Sequence, residues 1–589
     1  MKIKYRALVF IVVITIVLIS LIVRLAQIQL IQTESFSKHH INLIEASIKQ
    51  RTQSIVLDHG RGRFIDRNGE AITNDYYPSL VLFPFLKGID WPADQIAKIT
   101  GIREEDLHAV VEAAKTPFAY GGKYPIKLTE HQQQQINQLK IPGVFALYQQ
   151  VDTDQKVAEH LIGLVRQNKE LLEKRYEEKL NIGLISPQTE IGITGLQRAF
   201  DEFLLPEGES KLLYHVDQLG GPLFGLEVKY TAPANPYYPT SVKTTILKQY
   251  QIMAEQTVDE AGLKKGGLVL LDVENSDILA MVSRPTMDDH NPFGNSGGTN
   301  EMIVPQIPGS VFKIVTAAAA LETDVNIRGR LFDCDFNLYG DDHGARQLGL
   351  LNFEESFAKS CNYTFAKLAE EIIMMQPNFM EEYADKLGLI NKVGWHGDVF
   401  HYVDFSQFPE EKVGRIWGDN KDRHVKKAIN QTAIGQKDVR VSPLAVANMM
   451  ATIARGGERK QVRAVSEVQY KNGTTLFSFP KQNIEGEKLS AYTISKLQNL
   501  LLGVVESGTG QRFKGLPYTI AGKSGTAETG RSGLINKWFA AYFPADEPKY
   551  ALVVVDLDVR EKQAKTNVIV ESIVRKTHEL DEGYVNTFR

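Results

Sequence analysis

Serine and lysine residues three positions apart are the first feature of this chain that suggests catalysis. The chain has four Ser-x-x-Lys tetrads, which begin at Ser35, Ser310, Ser356 and Ser478. Chance alone accounts for a couple of such tetrads in 589 residues, so their contexts must separate them. Only the tetrad at Ser310 follows a Pro-Gly turn and opens an apolar, alanine-rich segment, residues 311–320. Ser310 is therefore the candidate nucleophile.

The other three tetrads have ordinary structural interpretations. Ser35 adjoins the apolar N-terminal segment, and the tetrad at Ser478 contains Pro480, which disfavours a helix. Ser356 lies in a segment with amphipathic helical periodicity, so we expect this serine and its lysine on the surface.

A serine at the start of a helix is well placed for nucleophilic attack. The positive end of the helix dipole lies there, and the backbone N–H of Ser310 is free to bind an oxyanion. Residues three apart share a helix face, which places Lys313 beside the hydroxyl. Lysine acts as a base only if burial or a neighbouring cation lowers its pKa from about 10.4. Taken alone, the tetrad fits an N-capping serine with a solvated lysine equally well.

Two further motifs change this balance. Ser-Cys-Asn at 360–362 is the only Ser-x-Asn in the chain, and Lys-Ser-Gly-Thr at 523–526 holds the only Lys-(Ser/Thr)-Gly. Separately, the first fits a capped turn and the second a lysine that guards a sheet edge. In this order, however, the three motifs match the active-site set of penicillin-binding proteins and class A β-lactamases.

The chain resembles the penicillin-binding protein family over nearly its whole length. Segments typical of the class B, monofunctional members occur at 61–69, 158–163 and 192–197, and further similar segments at 289–292, 435–444, 508–510 and 538–542. Gln197 stands where class B members carry glutamate, which makes an ion pair there doubtful. In the family pattern His160 is structural, so we expect neither a metal nor a catalytic role for it.

The resemblance implies catalytic roles for three residues. Ser310 attacks the penultimate D-alanine carbonyl of a stem pentapeptide, Lys313 is the general base, and Ser360 relays a proton to the leaving amine. β-Lactams are expected to acylate the same serine, because their strained amide and carboxylate resemble the D-Ala-D-Ala end.

Substrate binding is assigned in the same way. Asn362 holds the amides of the donor peptide, Lys523 supplies positive potential, and the hydroxyls of Ser524 and Thr526 bind the terminal carboxylate. The backbone N–H groups of Ser310 and Thr526 form the oxyanion hole. No metal or organic cofactor is needed for this reaction.

The N-terminus predicts a membrane anchor. Three basic residues precede an apolar run at 7–23, which spans about 25 Å as a helix and can extend to residue 30. A cleaved signal sequence is the alternative, but no small-x-small cleavage site follows the run. The basic residues favour a cytoplasmic N-terminus, with the catalytic domain outside. The resemblance implies that the membrane is a bacterial plasma membrane.

Composition and a proline-rich segment limit the possible partners and the domain organisation. A net charge of −4 over 589 residues gives no reason to expect nucleic acid. Two cysteines, Cys334 and Cys361, exclude a disulfide framework and leave one bridge possible. Three prolines at 231–240 mark a linker. The expected domains are a tail at 1–6, the anchor at 7–30, an N-terminal domain at 31–235 and a transpeptidase domain at 236–589.

The fold class expected is α/β (α+β). Two apolar runs at 268–273 and 278–282 predict a hairpin, and runs at 538–543 and 550–559 predict the last strands of a sheet that pairs its first and last strands. Helices are predicted at 104–114, 129–139, 312–322, 353–374, 443–455 and 569–580. By resemblance, this is a β-lactamase-like transpeptidase domain on an elongated pedestal of the class B dimerisation type, with one transmembrane helix.

Other function classes agree less well with these residues. A class A β-lactamase needs a deacylating glutamate motif that is missing after Ser360, and a β-lactam sensor needs several membrane spans. A bifunctional enzyme needs a glycosyltransferase motif, which we do not find. A D,D-carboxypeptidase is the nearest rival, since it differs only in using water instead of an amine. A mainly structural role in a cell-wall complex is also compatible. The resemblance implies a membrane glycan polymerase as partner.

Overall fold

A computed structural model describes residues 2–38, 41–216, 229–233, 235–288, 290–294, 297–344 and 346–587. Asp289, the first residue of one segment that resembles the family, lies outside the described residues.

Five of the six predicted helices are present as single helices, and the described residues contain further helices that were not predicted. In chain order they are α1 (Lys2–Ala26), α2 (Leu43–Gln50), α3 (Ala93–Thr100), α4 (Glu104–Ala113), α5 (Glu130–Gln138), α6 (Glu159–Ile162), α7 (Lys169–Asn181), α8 (Gly195–Ala199), α9 (Asp201–Leu204), α10 (Lys248–Ala261), α11 (Lys313–Glu322), α12 (Phe353–Ala358), α13 (Asn362–Met375), α14 (Phe379–Lys386), α15 (Lys426–Ala433), α16 (Pro443–Ala454), α17 (Ala491–Ser507) and α18 (Thr566–Thr587).

The strands are mostly short. In chain order they are β1 (Thr52–Asp58), β2 (Arg63–Ile65), β3 (Asn74–Leu82), β4 (Phe118–Ala119), β5 (Val144–Asp152), β6 (Val165–Gln167), β7 (Glu190–Gly192), β8 (Ser210–His215), β9 (Lys229–Thr231), β10 (Ser241–Thr244), β11 (Gly266–Asp272), β12 (Ile278–Arg284), β13 (Phe332–Asp333), β14 (Leu350–Leu351), β15 (His396–Val399), β16 (Tyr402–Ser406), β17 (Val465–Gln469), β18 (Thr475–Ser478), β19 (Ala521–Glu528), β20 (Ile535–Phe543) and β21 (Tyr550–Val559).

Two compact units divide the chain, and they alternate along it. The first unit contains the chain up to Gly60, Asp75–Asp152 and Glu207–Asn235. The second unit contains Arg61–Asn74, Thr153–Pro206 and everything from Pro236 onward. Two segments of the expected N-terminal domain therefore make their contacts with the residues of the second unit.

The first unit holds the apolar N-terminal helix and two small sheets. Helix α1 continues into a π-helix, and together they form an apolar helix of 30 residues, Lys2–Ile31, long enough to cross a membrane. The strands are ordered β1-β8-β9 in one sheet and β4-β3-β5 in the other. Helices α3, α4 and α5 contribute apolar residues to the core that also contains residues of β3 and β5.

A five-stranded antiparallel sheet is the centre of the second unit. Its order is β12-β11-β21-β20-β19. The predicted hairpin is confirmed as β11 and β12, and the predicted pairing of first and last strands as β11 with β21. Side chains alternate between faces, so Leu268 and Leu270 belong to the core with α10 and α18, and Val269 and Leu271 to the core with α11 and α16. Helices on both faces explain why these strands are continuously apolar.

Arg61 links two of the class B-like segments, 61–69 and 192–197, within the second unit. Its guanidinium donates to Oε1 of Gln197 at 2.8 Å and forms an ion pair with Asp201 at 2.9 Å. The Tyr176 hydroxyl donates to the same aspartate at 2.9 Å. The carboxylate that Gln197 lacks is thus supplied four residues later by Asp201.

One predicted helix is divided into two in the structure. Residues 353–374 were expected to form one helix, but the structure divides them into α12 and α13. Between them Ser360 adopts a positive φ of 59°, a conformation that a continuing helix cannot contain. Ser356, expected on the surface, is buried, and its hydroxyl accepts a hydrogen bond from Thr364 at 2.9 Å.

Candidate active site

The Ser310 turn is fitted against strand β19. Ser310 lies in a short 3-10 helix, Gly309–Phe312, from which α11 continues, so the predicted helix start is slightly tighter than an α-helix. Gly309 has φ +55°, and a Cβ there would lie 2.4 Å from the carbonyl oxygen of Thr526. Its N–H donates to the carbonyl of Gly435 at 2.9 Å. Only glycine allows the turn to approach the strand this closely.

Lys313 is completely buried below this turn. Its ammonium donates to the carbonyl oxygen of Ser360 at 2.9 Å, to the Ser360 hydroxyl at 3.1 Å and to Oδ1 of Asn362 at 2.6 Å. Within the described part of the chain, no hydrogen bond joins it to the hydroxyl of Ser310. The amine is one helical turn from the serine, but its bonds go to the Ser-Cys-Asn motif.

Ser360 is shared by two lysines. Its hydroxyl oxygen accepts from Lys313 at 3.1 Å and from Lys523 at 3.0 Å. The break between α12 and α13 makes this possible, because it turns the Ser360 side chain inward between the two amines. A hydroxyl that accepts from both amines is connected to two groups that can exchange a proton.

A disulfide braces this break. Cys361 lies between Ser360 and Asn362 and is bonded to Cys334 of the loop that follows β13. The bridge left open by the sequence is therefore present.

Both lysines are difficult to charge. Burial holds the pKa of Lys313 well below its usual range, and the Lys523 and Arg346 cations lower it further. Burial and then Arg346 lower the pKa of Lys523 to about 7. The two amines share one hydroxyl, and the Lys523 cation opposes protonation of Lys313. The lowered pKa of Lys313 favours the neutral amine, which is the form that can accept a proton.

The outer face of strand β19 presents hydroxyl groups. Ser524 and Thr526 are two residues apart and half-buried, so they project to the same face. The Ser524 hydroxyl is 2.7 Å from that of Thr509, which precedes the strand. The Thr526 hydroxyl accepts from Lys537 at 2.9 Å, and its carbonyl accepts from the Gln436 amide at 3.2 Å.

These contacts bring the three sequence motifs into one place. The start of α11, the break between α12 and α13, and strand β19 meet at Ser360. Lys313 donates to the Ser360 hydroxyl from α11, and Lys523 donates to it from β19. Within the described residues, no group of three or more His, Cys, Asp or Glu side chains is placed to hold a metal ion.

Comparison with known proteins places this arrangement in a family. The model of the penicillin binding protein transpeptidase domain matches residues 266–578, more than half of the chain. The chain belongs to this family.

Relatives of this penicillin-binding transpeptidase agree with class B membership. This chain is 29% identical over 351 residues to the peptidoglycan D,D-transpeptidase PbpA of Mycobacterium tuberculosis, and the match covers 54% of this chain and 67% of that protein. It is 25% identical to stage V sporulation protein D of Bacillus subtilis, covering 85% and 75%, and 24% identical to the peptidoglycan D,D-transpeptidase MrdA of Acinetobacter baumannii, covering 88% and 80%.

A solved structure shares the fold. It is described as "Structural coordination of polymerization and crosslinking by a peptidoglycan synthase complex". The TM-score is 0.63 at 21% identity, and 97% of each chain is covered.

Two cations beside the site were missed by reasoning from the sequence. Arg346 is exposed, donates to the carbonyl of Lys359 at 2.9 Å and lowers the pKa of both buried lysines. Lys537 reaches Thr526 from the neighbouring strand. Neither belongs to the three motifs identified in the sequence, and their positions depend on contacts between segments that are distant in sequence.

His160, for which the sequence predicted a structural role, is buried. Its Nε2 is 2.7 Å from the carbonyl oxygen of Gly297, and burial lowers its pKa. These contacts tie an N-terminal segment of the second unit to the loop that follows β12.

Proposed function

We propose that this class B penicillin-binding protein cross-links peptidoglycan stem peptides by way of an acyl-enzyme on Ser310. The observation that carries the proposal is Lys313, which is buried one helical turn after this serine and has a strongly lowered pKa. Burial makes this amine easier to deprotonate than an exposed lysine, and the sequence places it on the same helix face as the hydroxyl, as a general base requires.

Acylation uses the three motifs that meet at Ser360. The Ser310 oxygen bonds to the penultimate D-alanine carbonyl carbon while its proton passes to Lys313. The N–H groups of Ser310 and Thr526 stabilise the oxyanion. When the C–N bond breaks, the leaving D-alanine amine takes a proton through Ser360, whose hydroxyl contacts both lysines.

Donor binding uses the groups on either side of this relay. Asn362 is held by Lys313 through its Oδ1, which leaves its amide N–H groups for the donor peptide. Ser524 and Thr526 offer hydroxyls to the terminal carboxylate, and Lys523 lies beneath them as a partly charged amine. An amine on a neighbouring stem peptide resolves the ester, and β-lactams enter by the same route.

The placement of the enzyme follows from its N-terminal helix. The chain is anchored in the membrane by the apolar helix Lys2–Ile31. The basic residues before it favour a cytoplasmic N-terminus, so we infer that the catalytic unit lies outside the plasma membrane. Along the sequence we propose a tail at 1–6, an anchor at 7–30, an N-terminal domain at 31–235 and a transpeptidase domain at 236–589, with Arg61–Asn74 and Thr153–Pro206 of the N-terminal domain lying in the second compact unit. A membrane glycan polymerase is the inferred partner, which is supported by the likeness to a chain of a peptidoglycan synthase complex.

Labelling with fluorescent penicillin tests the nucleophile. The full chain in detergent is expected to bind the label covalently, and Ser310→Ala to bind none. Ser478→Ala is the matched control, because it removes the exposed serine of another Ser-x-x-Lys tetrad and is expected to label normally. Mass spectrometry of the labelled peptide locates the adduct. Label retained by Ser310→Ala at another serine overturns the assignment.

A second experiment separates transfer from hydrolysis. The chain is given a donor pentapeptide with and without an amine acceptor, and the products are identified by mass. A cross-linked product that requires the amine is the expected result. Tetrapeptide alone under both conditions identifies a D,D-carboxypeptidase instead.

A further inference from the structure

Lys537 lies directly beside the hydroxyl face of the candidate site. It is paired with Thr526 across the antiparallel strands β19 and β20, so both side chains project to the same face. Its ammonium donates to the Thr526 hydroxyl at 2.9 Å, and the side chain is 21% exposed. The catalytic steps derived above do not use this lysine.

The contact determines what Thr526 can offer. Because its oxygen accepts from Lys537, its own hydrogen points elsewhere and can be donated. Ser524, two residues earlier, presents a second hydroxyl on this face. The three side chains together form a set of donors with one positive charge, which is suited to an anion with two acceptor oxygens.

The charge of Lys537 is only weakly neutralised by the protein. The carboxylate paired with it is Glu561 at 3.4 Å, which is 70% exposed and therefore solvated. Lys523, to which the family pattern assigns the positive potential of the site, is buried and has a pKa of about 7. At neutral pH this amine carries only part of a positive charge. An anion on the outer face consequently has Lys537 as a further, accessible cation.

We propose that Lys537 binds the terminal carboxylate of the donor peptide, and the carboxylate of β-lactams, together with Ser524 and Thr526. This assignment rests on the proposed function, since it names a residue that selects the substrate of that reaction. The ligand class is a D-amino-acid carboxylate adjacent to the acylated amide. Lys537 is then a specificity residue that favours anionic over neutral acyl donors.

The experiment compares one ligand with and without its charge. Second-order acylation rate constants are measured for benzylpenicillin and its methyl ester, which keeps the β-lactam ring but loses the anion. Lys537→Gln is expected to slow acylation by benzylpenicillin roughly tenfold, the size of one lost hydrogen bond to a charged group. Acylation by the ester is expected to stay within about twofold, because the ester offers no charge to the lysine.

Two further variants define the cause. Lys537→Arg keeps a positive charge and is expected to retain acylation by benzylpenicillin within about threefold. Lys549→Gln removes an exposed lysine from the loop between β20 and β21 and is expected to change neither rate constant.

The outcomes separate the two proposals. Equal losses for both ligands mean that Lys537 only orders Thr526, and no loss for either means that it does not contact the carboxylate. Each of these results overturns the assignment while the acyl-enzyme stands. A wild-type chain that neither ligand acylates overturns the proposed function, and the role of Lys537 with it.

Discussion

Replacing Lys523 by methionine should make the stability of the second unit less dependent on pH. The lysine is fully buried, and its pKa falls from 10.5 to about 7 on folding. Between these values the unfolded chain binds a proton that the folded chain does not, so folding becomes more favourable as the pH rises. Below pH 7 both states are protonated, and the contribution hardly changes.

The size of the effect follows from the two pKa values. Between pH 7 and pH 9, the buried Lys523 should increase the free energy of unfolding by roughly 2 kcal/mol. Lys523→Met lacks this increase. The free energy of unfolding of the variant minus that of the wild type should therefore be roughly 2 kcal/mol larger at pH 7 than at pH 9. The variant should also lose acylation by penicillin, which would make the lysine an example of stability given up for function.

Tryptophan fluorescence during urea unfolding measures this difference. Trp395, Trp417 and Trp538 belong to the second unit, whereas Trp91 belongs to the first, so the signal reports mainly on the unit that holds Lys523. Titrating groups that do not interact with Lys523 cancel when the variant is compared with the wild type, whereas Lys313, whose pKa the Lys523 cation helps to lower, is shifted in the variant. Lys549→Met, which removes an exposed lysine, is the control. A difference between Lys523→Met and the wild type that stays constant with pH would refute the argument.

Three other predictions concern the same site. Lys313→Arg keeps the charge but removes the base, and it should slow acylation by fluorescent penicillin by about 10²- to 10⁴-fold; a loss below about threefold would contradict the role of Lys313. Replacing Cys334 and Cys361 by alanine removes a disulfide between positions 27 residues apart and should lower the free energy of unfolding by about 3 kcal/mol. Dithiothreitol should lower the free energy of unfolding of the wild type by a similar amount and should not change that of the variant. Gly309→Ala places a Cβ 2.4 Å from a backbone oxygen of β19 and should reduce acylation at least about 100-fold, whereas Gly329→Ala, with a similar positive φ but open space around it, should cost only about 1 kcal/mol of stability and leave acylation intact. Equal acylation by the two alanine variants would mean that close packing of the turn does not position the serine.

Local pattern was sufficient for much of the fold. The hairpin of β11 and β12 was predictable because two apolar runs flank a short polar turn, and α16 because its periodicity begins at a Ser-Pro cap. The division of residues 353–374 into two helices was not predictable in this way. Its helical periodicity continues through the break, and the positive φ of Ser360 is held by contacts with distant segments.

The sequence by itself determined the order and spacing of the three motifs, the anchor and the family. These features depend on residue types at short separations, which local chemistry governs. Only the tertiary structure decided that the Ser360 hydroxyl lies between Lys313 and Lys523, that Cys334 is bonded to Cys361, and that Arg346 and Lys537 add charge to the site. The physical reason is that burial, pKa and cross-strand contacts are set by groups far apart in the chain, and neither periodicity nor spacing contains that information.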